Sequence, residues 1–191
     1  MLVGVLAFQG DFAEHLQVLS DMGVACVDVR NAADLAKVSR LIIPGGESTV
    51  IAQFLTTTGM GREIRRRVLR PGKNDRLAVY GTCAGAILLG RRVTGKNAPS
   101  PLGLIDIDLQ RNAYGEQLDS FQADLKVTGI PGPIRASFIR APKITRVGKA
   151  VEVLAKHDGL PVLVRQGNVL VGTFHPEVRG EKKIHELFVG L

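Results

Sequence analysis

Short apolar runs alternate with helically spaced apolar positions through the first ninety residues. Residues 3–8 are an apolar run ended by Gln9-Gly10, which reads as a buried strand. Phe12, Leu16, Leu19 and Met22 then recur at helical spacing, with Gly23 where a helix C-terminus favours it. Residues 24–29 form a second strand and 41–43 a third, closed by Pro44-Gly45-Gly46. Ser48 starts a helix carrying Val50, Ile51, Phe54 and Leu55. Residues 77–80 are a fourth strand, followed by Gly81 and an apolar helix over 84–89. Strand, crossover helix and strand repeated in this way predict a mostly parallel sheet with helices on both faces.

The second half changes period. Ile105, Ile107 and Leu109 alternate with Asp106, Asp108 and Gln110, and Phe121, Ala123, Leu125 and Val127 alternate likewise. Residues 151–155, 162–164 and 169–174 are further short apolar runs, and Ile184, Leu187 and Phe188 mark a terminal amphipathic helix. Period-2 alternation with short links predicts antiparallel strands extending the sheet. The expected architecture is one α/β domain over residues 1–191. It is a three-layer sandwich whose mostly parallel central sheet carries an antiparallel extension.

Composition fits that architecture. With 191 residues, 45% of them hydrophobic and 23% charged, the chain can bury a core and is not disordered. Two cysteines are too few for a disulfide framework, which predicts a reducing, cytoplasmic setting. The opening residues have no basic start, so no secretory leader is expected, and no apolar run is long enough to span a bilayer. The formal net charge is +7. The basic residues are dispersed apart from Arg62, Arg65, Arg66, Arg67 and Arg70, which read as a solvated helix face or a partner-docking face. No aromatic residue interleaves with them, so nucleic acid is not an expected partner.

The strongest chemical signal is Gly81-Thr82-Cys83-Ala84-Gly85, between an apolar strand and an apolar helix. It is the cysteine form of the nucleophile elbow. Side chains at the flanking glycines would collide in so tight a turn. The helix N-terminus beyond it favours thiolate, the reactive form. Cys26 has no such setting and reads as buried and inert.

A thiol nucleophile needs a base, and the base an orienting acid. His175-Pro176-Glu177 supplies both, since residues two apart on extended backbone point the same way. His15, His157 and His185 read as surface or structural residues. Acyl transfer also needs oxyanion donors. The Ala84 N–H is one. Gly46, in Pro44-Gly45-Gly46-Glu47-Ser48 at the end of a parallel strand, can turn its amide to the site without a Cβ in the way. The plain alternative is a strand-to-helix turn with Ser48 as N-cap.

Pro-Gly-Gly-Glu-Ser, Gly-Thr-Cys-Ala-Gly and His-Pro-Glu, in this order, resemble the triad glutamine amidotransferases. Three further segments narrow the likeness. They are Gly4-Val5-Leu6-Ala7-Phe8-Gln9-Gly10 with Glu14-His15, Gln110-Arg111-Asn112-Ala113-Tyr114-Gly115 with Asp119-Ser120-Phe121, and Phe138-Ile139-Arg140-Ala141-Pro142. Together they resemble the glutaminase subunits of pyridoxal 5′-phosphate synthase over nearly the whole chain. The resemblance implies Cys83 as nucleophile, His175 as base and Glu177 as its orienter. It implies Gly46, Glu47, Ser48, Arg111, Ile139 and Arg140 around glutamine, with Gly46 and Ala84 as oxyanion donors. It also implies no metal and no bound cofactor, and an ammonia-accepting synthase subunit as partner. Tyr114, Glu116 and Gln122 depart from the family pattern. A glutaminase subunit of another synthase, such as imidazole glycerol phosphate synthase, fits the Arg111 and Arg140 segments less well. A cysteine peptidase on the same elbow does not explain His-Pro-Glu, and an inactive regulatory protein does not explain a complete triad.

Overall fold

The computed structural model describes residues 1–70, 76–111 and 120–191. The first half alternates as its periodicity predicts. Its elements are β1 (Val3–Leu6), α1 (Phe12–Asp21), β2 (Cys26–Val29), α2 (Ala32–Lys37), β3 (Arg40–Ile43), α3 (Ser48–Thr57), α4 (Met60–Val68), β4 (Ala78–Thr82) and α5 (Ala84–Leu89). Gly23 closes α1 at φ 69°, a left-handed conformation that a side chain would strain. The second half supplies β5 (Arg92–Thr94), β6 (Ile107–Gln110), β7 (Ser120–Leu125), β8 (Ile134–Ile139), β9 (Lys143–Val147), β10 (Glu152–His157), β11 (Leu160–Gln166) and β12 (Val169–Gly172). A 3₁₀ turn (Glu177–Arg179) and α6 (Lys183–Val189) follow.

The central sheet has seven strands in the order β10-β11-β12-β4-β3-β1-β2. Strands β12, β4, β3, β1 and β2 are parallel; β11 and β10 add the antiparallel edge. Strand alternation divides the core between its faces. Leu41, Ile43 and Val79 pack with Leu35, Ile51, Ile64 and Leu88 of α2 to α5 on one face. Ile42 and Tyr80 pack with Leu19 of α1 and Ile184 and Phe188 of α6 on the other. Burying each such Leu or Ile side chain contributes roughly 1.5–3 kcal/mol. Among the described residues no helix is long and apolar enough to cross a membrane.

Two alternating segments do not extend the central sheet as expected. β6 lies between β5 and β9 in a separate three-stranded sheet, and β7 pairs only with β8. Alternation reports that one face of a strand is buried, not which sheet buries it. Ile107 and Leu109 pack against the α2–α5 side of the core, whereas Leu125 and Phe138 join the opposite side. The antiparallel extension comes from β10 and β11 alone.

The arginine-rich helix α4 is only partly a solvated face. Arg67 is buried, and its guanidinium donates to the Leu35 and Val38 carbonyls at 2.6 and 2.8 Å, closing the end of α2. Arg65 donates to the Leu102 and Gly103 carbonyls, and Arg66 pairs with Glu63 at 2.7 Å. Much of this basic run holds the protein to itself.

Candidate active site

β4 delivers the chain to Cys83, which sits at φ 46° and ψ −99° one residue before α5. A non-glycine residue there carries strain of about 1–3 kcal/mol. The Cys83 N–H holds it by donating to the Gly172 carbonyl at 3.0 Å. The flanking glycines are steric requirements. A Cβ on Gly81 would lie 2.6 Å from the Gly85 carbonyl, and one on Gly85 would lie 2.0 Å from the Ile43 oxygen. The sulfur therefore stands at the C-terminal edge of the parallel sheet, where the Cys83 S–H reaches the Ile139 carbonyl at 3.6 Å. Cys26 opens β2 half-buried rather than lying mid-strand, and burial pushes its thiol pKa up.

His175 follows β12 on the neighbouring strand. Its N–H donates to the Ser137 carbonyl at 2.8 Å, which ties it to β8. Its Nδ1 donates to Glu177 Oε1 at 2.7 Å. The expected His–Glu contact is present, but not through extended backbone. Pro176 is helical at φ −70° and ψ −31°, and Glu177 opens the 3₁₀ turn. That turn folds the carboxylate back under the ring. Burial opposes a charged imidazole, but Asp11, Cys83 and Glu177 together hold the His175 pKa well above its ordinary value. For Glu177, burial pushes the carboxyl up against the His175 hydrogen bond that pulls it down.

Sequence reasoning missed Asp11, whose Oδ2 lies 3.3 Å from His175 Nδ1. Asp11, His175 and Glu177 are the one group among the described residues whose donor atoms converge as a metal site would need. Glu177 accepts from the imidazole Nδ1–H while the Asp11 carboxylate stands beside the same nitrogen, and that arrangement accounts for the convergence.

Two histidines read as surface or structural residues are fully buried behind the triad. His185 Nδ1 donates to the Glu181 carbonyl at 3.2 Å, so its Nε2 accepts from His15 Nδ1 at 2.8 Å. His15 Nε2 then accepts from the Thr82 hydroxyl at 3.2 Å, beside Cys83. His15 Nε2 is also 3.6 Å from Glu177 Oε1. Both rings are neutral: burial pulls the His185 pKa down to about 4, and burial, then the charges of His185 and His175, pull His15 well below its usual value. The unfolded chain takes up protons on these rings below about pH 6.5, while the folded one resists. Stability is therefore full above that pH and lost as pH falls toward 4. His185 alone is expected to lower it by about 2 kcal/mol between pH 7.5 and 5. Urea midpoints at the two pH values check this: the drop should shrink in His185→Gln, and an equal drop in both proteins would contradict it. His157 ends β10 and stacks on Phe121 and Phe138.

The loop between β3 and α3 carries the other expected residues. Glu47, not Ser48, caps α3, its carboxylate accepting from Thr49 N at 3.2 Å. Ser48 is the first helical residue, buried, with a hydroxyl that has no partner among the described residues. Gly46 lies at φ 140°, which a side chain rarely adopts. Gly45 packs on the triad, since a Cβ there would lie 2.3 Å from His175 Cε1. Its carbonyl faces the β1–α1 loop and accepts from Asp11 N at 3.3 Å. In a trans peptide the following N–H, that of Gly46, points the opposite way. Gln9 supports the loop from the side, its Oε1 accepting from Glu47 N at 2.9 Å. Arg111 reaches across from β6 to Glu47 Oε1 at 3.0 Å. Ile139 is 39% exposed, so its side chain forms part of the rim while its carbonyl meets Cys83. Arg140 follows, exposed and left-handed at φ 45°. Ala84 opens α5, so its N–H is among the first-turn amides with no acceptor within the helix. Gln122 lies on β7 opposite Ser137; Tyr114 and Glu116 are outside the described residues.

The SNO glutamine amidotransferase family model matches residues 5–191. The pyridoxal 5′-phosphate synthase subunit PdxT of Mycobacteroides abscessus is 48% identical over 191 residues, covering 100% of this chain and 96% of that protein. A protein of the same name from Thermus thermophilus is 46% identical over 190 residues, covering 100% and 97%. A crystal structure of a glutamine amidotransferase aligns with TM-score 0.92 at 44% identity, covering 98% of this chain and 97% of that one. A putative GMP synthase protein from Thermoplasma acidophilum, at TM-score 0.69 and 17% identity over 100% and 92% of the chains, shares the fold.

Proposed function

The chain belongs to the SNO glutamine amidotransferase family, and on that premise we propose that it hydrolyses L-glutamine and hands the ammonia to a pyridoxal 5′-phosphate synthase subunit. One observation carries the chemistry. A strained elbow cysteine acts on the imidazole of His175, which a buried glutamate holds by a 2.7 Å hydrogen bond. The Cys83 sulfur attacks the side-chain amide carbon of glutamine. The carbonyl oxygen becomes an oxyanion, met by the Ala84 and Gly46 amides. His175, held cationic by its carboxylates, gives its proton to the departing nitrogen. The C–N bond breaks, leaving a γ-glutamyl thioester and ammonia. Water, deprotonated by His175, then releases glutamate and frees the sulfur. Glu47, Ser48, Arg111, Ile139 and Arg140 hold the amino acid. No step calls for a metal or bound cofactor.

Ammonia released to neutral water becomes ammonium, which is not nucleophilic. A partner must therefore receive it directly, and the PdxT relatives are by name synthase subunits. The rim supports docking over the site: exposed Val50, Ile139 and Val178 each lie within two residues of a site residue in the chain, and exposed Phe8 lies three before Asp11. That apolar rim is a better candidate for the docking face than the self-tied arginines of α4.

The free chain is expected to be a poor glutaminase that its partner switches on. The switch is the Gly45–Gly46 peptide, whose glycines let it flip at little steric cost. One oxyanion donor is worth ~10²–10³ in rate, and a partner that prefers the donor-in state shifts the population toward it. Glutamate release measured before and after adding the synthase subunit tests both parts. A many-fold rise is expected. Equal turnover refutes the gating, and no release in either state refutes the glutaminase reading.

A further inference from the structure

Asp11 stands at the N-cap position of α1, where an aspartate ordinarily bonds a first-turn amide. Here its side chain makes no capping hydrogen bond. The carboxylate turns instead to the triad, with Oδ2 3.3 Å from His175 Nδ1. Three contacts hold it there. The Asp11 N–H donates to the Gly45 carbonyl at 3.3 Å. Gly10 leaves no room between the two loops, since a Cβ on it would lie 1.8 Å from the Gly45 oxygen. Gly45 leaves room for the carboxylate itself, since a Cβ there would lie 2.7 Å from Asp11 Oδ2.

We infer that Asp11 is a positioning residue of the reaction, a second carboxylate on the Nδ1–H of His175 that orients and charges the ring alongside Glu177. The inference rests on the glutaminase reading only for its kinetic consequence. Among the described residues, the charged and titratable groups that meet the ring each have a place in it. Glu177 and Asp11 meet Nδ1, Cys83 is its partner from the elbow, and neutral His15 lies beyond Glu177. Glu177 is buried and Asp11 is partly exposed, so one acceptor is fixed and the other is open to solvent. The ring's attraction holds the Asp11 carboxyl below its usual range. A reserve acceptor predicts that losing either carboxylate is cushioned by the other.

Four full-length proteins test this with the synthase subunit present: wild type, Asp11→Asn, Glu177→Gln and the double variant. Asparagine keeps the size and the backbone N–H bond to Gly45, and no cap is lost. Asp11→Asn should lower kcat roughly fivefold in the wild-type background and roughly fiftyfold beside Glu177→Gln, with KM little changed. It should also move the basic limb of the kcat/KM profile to lower pH, because a ring with one anion fewer loses its proton sooner. The same factor in both backgrounds overturns the inference. Ring titration of His175 by NMR in the free chain decides the point without turnover: a lower pKa in Asp11→Asn supports it, and an unmoved pKa overturns it. If wild type releases no glutamate, the functional reading fails while this titration still judges Asp11.

Discussion

Cys83→Ala is expected to abolish glutamine hydrolysis, with a loss on the order of 10⁴ or more, while the fold survives. The loss is large because no other group can take the sulfur's place. Cys26 opens β2, where its sulfur reaches the Leu16 carbonyl at 3.7 Å, away from the elbow. The fold survives because the substitution removes one atom. Its backbone N–H still bonds the Gly172 carbonyl, and alanine meets the same φ of 46° as cysteine did. Turnover and thermal midpoint measured together separate the two effects. Near-normal hydrolysis by Cys83→Ala would refute the assignment; Cys26→Ala, as control, should keep most of the activity.

The second large effect is expected at His175. His175→Asn should cost roughly 10³–10⁴ in kcat/KM, whereas Glu177→Gln should cost less. In the proposed reaction His175 both delivers the proton to the departing nitrogen and takes one from water, so each half would stop without it. Glu177 only orients the ring and stabilises its charge. Its Oε2 is buried with no partner among the described residues, and its hydrogen bond to the triad runs through Oε1 and His175. Glutamine leaves that oxygen's position filled and can still accept from Nδ1. Single-turnover acylation of each variant compares them directly. A Glu177→Gln defect larger than that of His175→Asn would reverse the roles.

The parallel half of the fold was legible because its signals are local. A buried strand of four residues, a glycine at a helix end and a helical apolar stripe each lie within one element, and the four parallel strands β1 to β4 followed; the fifth, β12, was expected among the antiparallel strands but pairs parallel with β4. The elbow was legible for the same reason: Gly81 and Gly85 are required by contacts within one turn and with the adjacent β3. The second half was less so. Residues 105–110 alternate as a wet-faced strand should, but their partners are β5 and β9, a choice made by tertiary packing. His175 and Glu177 were paired correctly from spacing two, yet the contact depends on a 3₁₀ turn. Asp11, His15 and His185 carried no usable local pattern. They become part of the site only when α1 and α6 pack on the same sheet face as Tyr80, bringing residues 15 and 185 within 2.8 Å.

The proposed reaction turns on a γ-glutamyl thioester at Cys83. An electrophilic glutamine analogue, incubated with the chain and its synthase partner and followed by peptide mass mapping, tests it most directly. One stoichiometric adduct on Cys83 is expected, blocked by excess glutamine and absent from Cys83→Ala. An adduct on Cys26, or labelling of Cys83 that glutamine does not block, would contradict it.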